Sequence, residues 1–521
     1  MASGKKNKKN QIDMYGSNAP ANFVRKIYLV CMIFVFPLIM TDKYFNITIT
    51  RTRTFEFMAL GLLIFIIAAG IIEYCLGDYY DAELVPVLSK AEKIYAKPEL
   101  YAVLFLIANL FAFIMAEDKQ AAFTGEKGRF FGVLFVLCLV VTFVILARRF
   151  PLSDGWVVPI FISSLISNVI VIMQHFGADP FHLREKISKK QSGLFVSTFG
   201  NINTYGSYLC VIIALYAGIF IFATKLWVKV VAGIGMFIGA FCIITAKSDD
   251  VYIGIVMMLI LLFYISVVYK KLDQYMISLV IITVGVTFMS LINVKYSGST
   301  ERLNGLAEII QQPKTIGLLT ALVCVITVLL IVFKKTKNDL FEKLQSWKLL
   351  SVITLIGIVA TVVFVIYGMK AGVSFLTFDY KWGTYRGYVW TKGAELFKEA
   401  DIQQKIFGYG NESIASLMRD NFYNEMLTVT GKSYDNLHNE VLQYLITTGL
   451  FGMLSYIGIF VSGVIYLVKN AKGSAIAISC AAACTAYFFQ GLVNLNQPIT
   501  TPFYFVIMAI GVGYIRYRDK V

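Results

Sequence analysis

The stretch VYIGIVMMLILLFYISVVYKK, residues 251–271, decides the fold class. From Val251 to Val268 it holds no Lys, Arg, Asp or Glu, and it then stops at Lys270–Lys271. A helix rises about 1.5 Å per residue, so about 20 apolar residues cross the hydrocarbon core of a bilayer. Lipid offers no partner for backbone N–H and C=O groups, so only helices and closed barrels span it. A barrel needs short alternating strands, and this run is continuously apolar. It reads as a transmembrane helix with a basic stop.

The same pattern recurs on both sides of it. About fourteen candidate spans, twelve at the least, meet the length criterion. They lie near Lys26–Met40, Phe55–Leu76, Leu100–Met115, Phe131–Leu146, Trp156–Met173, Thr204–Ala223, Val228–Thr245 and Val251–Val268. The others are near Met276–Ile292, Ile316–Phe333, Leu349–Tyr367, Val441–Val468, Ser474–Leu492 and Pro502–Ile515. The expected fold is all-α: a polytopic transmembrane helical bundle with one long extracytoplasmic loop. Its parts are a basic cytoplasmic tail (1–25), N-terminal transmembrane helices (26–369), the loop (370–440), and C-terminal helices with a short tail (441–521).

Composition agrees. The 521 residues are 58% hydrophobic and 15% charged, with a mean hydropathy of +0.70, whereas a soluble domain is about 25% charged. The net charge of +15 reads as loop Lys and Arg that set topology, and no soluble basic domain is present to bind nucleic acid. The eight cysteines fall in or beside apolar runs without metal-ligand spacing and read as packing residues. The N-terminal MASGKKNKKN reads as a basic tail and the first apolar run as a retained helix. Gly77–Lys97 reads as an interfacial helix.

With the N-terminus in the cytoplasm, the cytoplasmic segments hold 25 Lys and Arg against 14 outside, once the eight in the long loop are set aside. Long loops cross largely regardless of charge, so this bias puts both termini inside and Lys370–Glu440 outside. The outer face then also collects Gln174–Asn203, Ala246–Asp250, Asn293–Lys314 and Asn494–Thr501.

Chemistry belongs where polarity rises. Of three histidines, His438 follows the turn-prone SYDN and precedes an apolar run. Neutral imidazole suits proton removal at neutral pH, although an interfacial His bound to a carbonyl fits the spacing too. Arg386 follows the aromatic run FDYKWGTY and precedes Trp390. It suits bidentate capture of phosphate oxygens, or snorkelling in an aromatic belt. His175, His182 and Arg184 lie in a polar loop, lining a cavity or merely solvated. Asn201 and Asn203 either bind sugar hydroxyls or cap a helix. Asp249–Asp250 resembles a fragment of a metal site, but with no third ligand nearby it reads rather as a charged turn. Gln490, Asn494, Asn496 and Gln497 are either polar glue between helices or a cavity wall.

These residues carry a resemblance. Arg386, Trp390 and Gly393 in R-x-x-x-W-x-x-G, then FGYG (Phe407–Gly410) and HNEVLQYLITTGLFG (His438–Gly452), resemble the O-antigen ligase and polymerase family. STFGNINTYGSYL (Ser197–Leu209) looks like the family's Gly-Asn-x-Asn segment, and the similarity spans roughly residues 174–515. The resemblance implies a metal-independent membrane glycosyltransferase of the GT-C type, without a cofactor, in the bacterial cytoplasmic membrane. Its active site would face outward, and its donor would be an oligosaccharide on undecaprenyl diphosphate. His438 would be the base acting on the acceptor hydroxyl and Arg386 would bind the diphosphate. Trp390, Asn439, Asn201, Asn203 and Gln490 would complete the substrate-binding set.

One departure stands out. The family carries Ser-Arg at the outer end of a middle span, where this chain has TAKSDD (Thr245–Asp250). Lys247, Arg184 or Arg302 would have to supply that cation.

The function so implied is a polymerase joining lipid-linked repeat units into a surface polysaccharide. The alternative is a ligase moving the glycan to a lipid, protein or cell-envelope acceptor. A transporter or flippase would need paired charges deep in several spans, and few are present. Expected partners are the donor, a glycan acceptor, membrane lipids, and flippase or chain-length regulator proteins.

Overall fold

A computed structural model describes residues 20–75, 97–125, 129–189, 191–296, 305–370, 372 and 376–520. The expected interfacial helix at Gly77–Lys97 (save Lys97), most of the basic tail, and Arg302 lie outside the described residues.

Helices dominate. The first group is α1 (Pro20–Val30, continued by a π turn at Cys31–Val35), α2 (Ile47–Cys75), α3 (Pro98–Met115), α4 (Lys119–Thr124), α5 (Val133–Leu146) and α6 (Val157–His175). Then come α7 (Ile202–Phe222), α8 (Leu226–Ala246), α9 (Asp250–Val268), α10 (Leu272–Lys295), α11 (Gly305–Ile310), α12 (Pro313–Thr336), α13 (Asn338–Leu344) and α14 (Trp347–Lys370). The last are α15 (Trp382–Glu399), α16 (Ile402–Phe407), α17 (Ile414–Thr430), α18 (Glu440–Thr447), α19 (Gly449–Lys469), α20 (Ala475–Gly491) and α21 (Thr501–Arg518). Each of the fourteen expected spans contains helix, and among the described residues nine helices are long and apolar enough to cross a bilayer. The sheet is one antiparallel pair, β1 (Phe195–Val196) and β2 (Gly200–Asn201).

Small residues organise the centre. Between lipid-soluble helices there is little hydrophobic driving force, so contact depends on close backbone approach. A Cβ on Gly218 of α7 would lie 2.6 Å from Ser479 Cα of α20, and one on Gly254 of α9 would lie 2.8 Å from the Ala486 carbonyl oxygen. The run SCAAACTA in α20 is therefore a packing surface, and α7 is buried along nearly its whole length. At the rim, α12 and α14 expose Leu318, Leu322, Leu355 and Ile356, a breadth of apolar surface that suits lipid rather than water.

The connections sort to two ends, as alternation of the spans requires. At one end Lys43 pairs with Glu185, the Tyr44 hydroxyl donates to the Ser197 carbonyl, and Arg129 meets Asp435. At the other, Arg516 pairs with Glu99 and donates to the Ala147 carbonyl, Arg25 donates to the Arg149 carbonyl, and Lys472 pairs with Asp519.

One expectation changes. The span Val441–Val468 is broken: α18 ends at Thr447 and α19 restarts at Gly449, whose φ is +65°. The long loop carries α15, α16 and α17, which form a helical cap with its own core. That core includes Tyr388, Val389, Leu396, Met418, Phe422 and Leu437. Buried Lys392 staples the cap, 2.9 Å from both Glu395 and Glu425 with its ammonium over the Phe422 ring.

Candidate active site

The cap closes onto the bundle through glycines. Asp401 and Gln404 form a capping box that starts α16, which ends at Gly408 with φ +80°. The next residues pair with the end of α18: Tyr409 N–H donates to the Ile446 carbonyl (2.9 Å) and Gly410 N–H to the Thr447 carbonyl (3.0 Å). A Cβ on Gly408 would sit 2.3 Å from the Thr447 carbonyl carbon, and one on Gly449 would sit 2.3 Å from that of Ile406. The two backbones cross too closely for side chains, which explains FGYG and the helix break together.

Arg386 is placed by strain. Gly383, Thr384 and Tyr385 all take left-handed conformations, with φ of 56°, 60° and 72°. Such a run is costly for residues with a Cβ and persists only where the surroundings enforce it. The Tyr434 hydroxyl donates to the Thr384 carbonyl, and a Cβ on Gly387 would lie 1.8 Å from the Asp379 oxygen. Regular helix then begins at Arg386, whose Nη1 donates back to the Gly383 carbonyl (2.9 Å). Its Nε is buried without a partner.

His438 is placed just as firmly. Its φ is +48°, its N–H donates to Asn436 Oδ1 (3.0 Å), and the preceding Leu437 N–H donates to Gln443 Oε1. Asn439 caps α18 by accepting from Leu442 N–H, and Trp390 Nε1 donates to the Leu437 carbonyl (2.9 Å). Arg129 grips Asp435 through two hydrogen bonds of 2.9 and 2.6 Å. The imidazole lies edge-on to the Tyr434 ring, 5.8 Å between centroids, and its Nδ1 is buried with no partner. Burial drives its pKa from 6.5 down to about 3, helped by the charges of Arg386 and then Arg129, with Asp435 opposing. The ring is therefore neutral at physiological pH.

The Arg386 charge bears on both His438 and Asp250, a group that the sequence reading treated as a charged turn. Asp250 is instead buried, accepting from Ser248 and Gln490, while Asp249 is exposed. Ser248 Oγ also lies 2.7 Å from the Asn203 side-chain amide, Ser207 donates to Gln490 Oε1 (2.9 Å), and Asn494 donates to Ser207 Oγ and the Asn203 carbonyl. Asn203 and Gln490 thus bind neighbouring helices together, and Asn201 caps α7 by accepting from Asn203 N–H.

Two of the other candidate cations, Arg184 and Lys247, are engaged elsewhere. Arg184 Nε donates to the Phe195 carbonyl (2.8 Å), bracing β1, and Lys247, the left-handed C-cap of α8, has Nζ 3.5 Å from the Gly193 carbonyl. His175 is a buried histidine hydrogen-bonded to Asn293, and His182 is exposed. Among the described residues no three His, Cys, Asp or Glu come together as a metal-binding group.

Sequence reasoning missed Arg129 and Arg51. Arg129 lies between the third and fourth spans, on the side that alternation assigns to the long loop, so its face was available as a signal. Arg51 is buried, with its guanidinium donating to the Ile39, Pro37 and Thr198 carbonyls and lying 4.6 Å from the Phe199 ring centre, a brace for β1 and β2.

Residues 309–457 match the family model described as O-Antigen ligase. The matched segment contains Arg386, Trp390, FGYG and His438, and it ends before Gln490. No curated protein matches the chain. The match supports an O-antigen ligase-type membrane enzyme acting between a lipid-linked glycan donor and a glycan acceptor.

Proposed function

We propose that this chain, whose residues 309–457 fall in the O-antigen ligase and polymerase family, is a polymerase of undecaprenyl-diphosphate-linked repeat units. The reading rests on one observation. On the cap, whose backbone is held in left-handed conformations at Thr384, Tyr385 and His438, His438 Nδ1 and Arg386 Nε are buried without partners. An acceptor hydroxyl oxygen attacks the anomeric carbon of the donor sugar and its proton passes to His438. The bond from that carbon to the diphosphate oxygen breaks, and polyprenyl diphosphate leaves with the electron pair. Arg386 stabilises the charge that develops on that oxygen. Diphosphate is a good leaving group, so neither a strong general acid nor a metal is required. Diphosphate also offsets the cations that depress the His438 pKa, so the base gains proton affinity when donor is bound. The lysine and arginine bias supports an orientation with this end of the bundle outside the cytoplasmic membrane.

Purified protein in nanodiscs, given the lipid-linked repeat unit as its only glycan, tests the reading. A polymerase yields a ladder of longer lipid-linked chains, unchanged by EDTA. Products that form only after a separate acceptor is added would make the enzyme a ligase. Activity lost to EDTA and restored by Mg²⁺ would overturn the metal-free mechanism.

A further inference from the structure

The left-handed turn before Arg386 also gathers three aromatic rings. Trp382 and Trp390 are eight residues apart, and a continuous helix would separate them by about 12 Å along its axis. The reversal at Gly383–Tyr385 brings their ring centres to 5.1 Å. Phe378 joins them, 5.8 Å from Trp382 and 6.3 Å from Trp390, its plane within 27° of the latter. None of the three belongs to the hydrophobic core of the bundle or of the cap, and Phe378 is 55% exposed. Apolar rings left out of both cores need another reason for their arrangement. The cluster is also wired to the reacting groups. Trp390 stands one helical turn from Arg386 on the same face, and its indole N–H is fixed on the carbonyl of Leu437, the residue before His438.

We propose that Phe378, Trp382 and Trp390 form a stacking platform for a sugar ring of the lipid-linked glycan, next to the diphosphate held by Arg386. A pyranose presents an apolar C–H face that matches the negative face of an aromatic ring, with its hydroxyls at the edge. Arg386 and the platform then read the two halves of one substrate, diphosphate and sugar. A membrane-interface belt would account for aromatic residues at this depth, but not for a ring locked to the backbone beside His438 or for the strained turn that assembles the cluster. The proposal rests on the donor reading above.

The test uses two probes with the same tail and diphosphate: farnesyl diphosphate, and its ester with N-acetylglucosamine. Binding to the protein in nanodiscs of fixed lipid composition is followed by calorimetry. Wild type is expected to bind the sugar-bearing probe about tenfold more tightly, the scale of one ring stacked on an aromatic face. Phe378→Leu, at an exposed position, should erase that preference without changing affinity for farnesyl diphosphate, and Phe378→Trp should keep it. A wild type without sugar preference, a Phe378→Leu variant that retains it, or equal losses for both probes would each overturn the platform. A wild type that binds neither probe would overturn the donor reading itself.

Discussion

Two polar regions meet at this end of the bundle, and they are built on opposite plans. In the amide cluster of Asn203, Ser207, Ser248, Asp250, Gln490 and Asn494, the side chains hydrogen-bond to one another across α7, α9 and α20. In the cap, strained backbone at Thr384, Tyr385 and His438 carries an Arg and a His that keep unpartnered buried nitrogens. Hydrogen bonding that is fully satisfied holds helices together, while groups fixed in place but left unsatisfied are available to a substrate. On the function proposed above, the first region is structure and the second is where the chemistry takes place.

The largest effects should therefore come from the cap. His438→Ala is expected to lower transfer by roughly 10²- to 10⁴-fold, the usual contribution of positioned proton transfer, with donor binding retained. His438→Gln should fail similarly, because an amide cannot accept the proton usefully. Arg386→Lys should lose about 10²-fold, since a point charge does not reproduce a planar fork. Transfer from purified donor, normalised to folded protein, measures all three. Wild-type turnover by the Ala variant would remove His438 from the chemistry and with it the contrast between the regions.

The sequence read well where one physical rule acts alone. Apolar length located all fourteen helices, because lipid allows a long apolar run few alternatives. It failed at Thr448–Gly449, where a local apolar pattern runs straight through a break imposed by FGYG from 40 residues upstream. Arg386 and His438 were legible because their motif is compact in sequence. Arg129 was not, since its link to Asp435 spans 306 positions. Asp250 was misjudged for a related reason: whether a carboxylate at a helix start faces solvent or a neighbouring helix depends on α20, which lies far along the chain.

A smaller effect sharpens the contrast from the other side. Gln490→Leu leaves the Asp250 carboxylate and the Ser207 hydroxyl each short of a partner in a buried site, which costs about 1–3 kcal/mol. The expected outcome is a lower unfolding temperature in detergent, with turnover per folded molecule within about threefold of wild type, on the order of 0.6 kcal/mol in barrier. A loss of 10²-fold at unchanged stability would move the amide cluster into the substrate site and break the division drawn above.

The finest test is the pH dependence of the base. With a folded pKa of about 3 against 6.5 for an ordinary histidine, His438 stays neutral as pH falls through the range where the unfolded chain takes up a proton. The unfolded state therefore binds more protons between those values. The contribution of this group to stability is intact above 6.5 and declines as pH drops toward 3, and His438→Gln should remove that slope. The same depression governs rate. The acid limb of kcat/KM reports the free enzyme, so on account of His438 it should lie far below 6.5. Burial is the main cause and the nearby cations add to it. Arg129→Gln removes a charge that opposes protonation and should move the limb upward. Asp435→Asn removes a charge that favours protonation and should move it down. Bound diphosphate acts in the same sense as loss of a cation, so the limb of kcat should lie at higher pH than that of kcat/KM in the wild type. Coincident limbs near 6.5 would describe a solvated histidine far from both arginines, and the cap would then be no more a place for chemistry than the amide cluster.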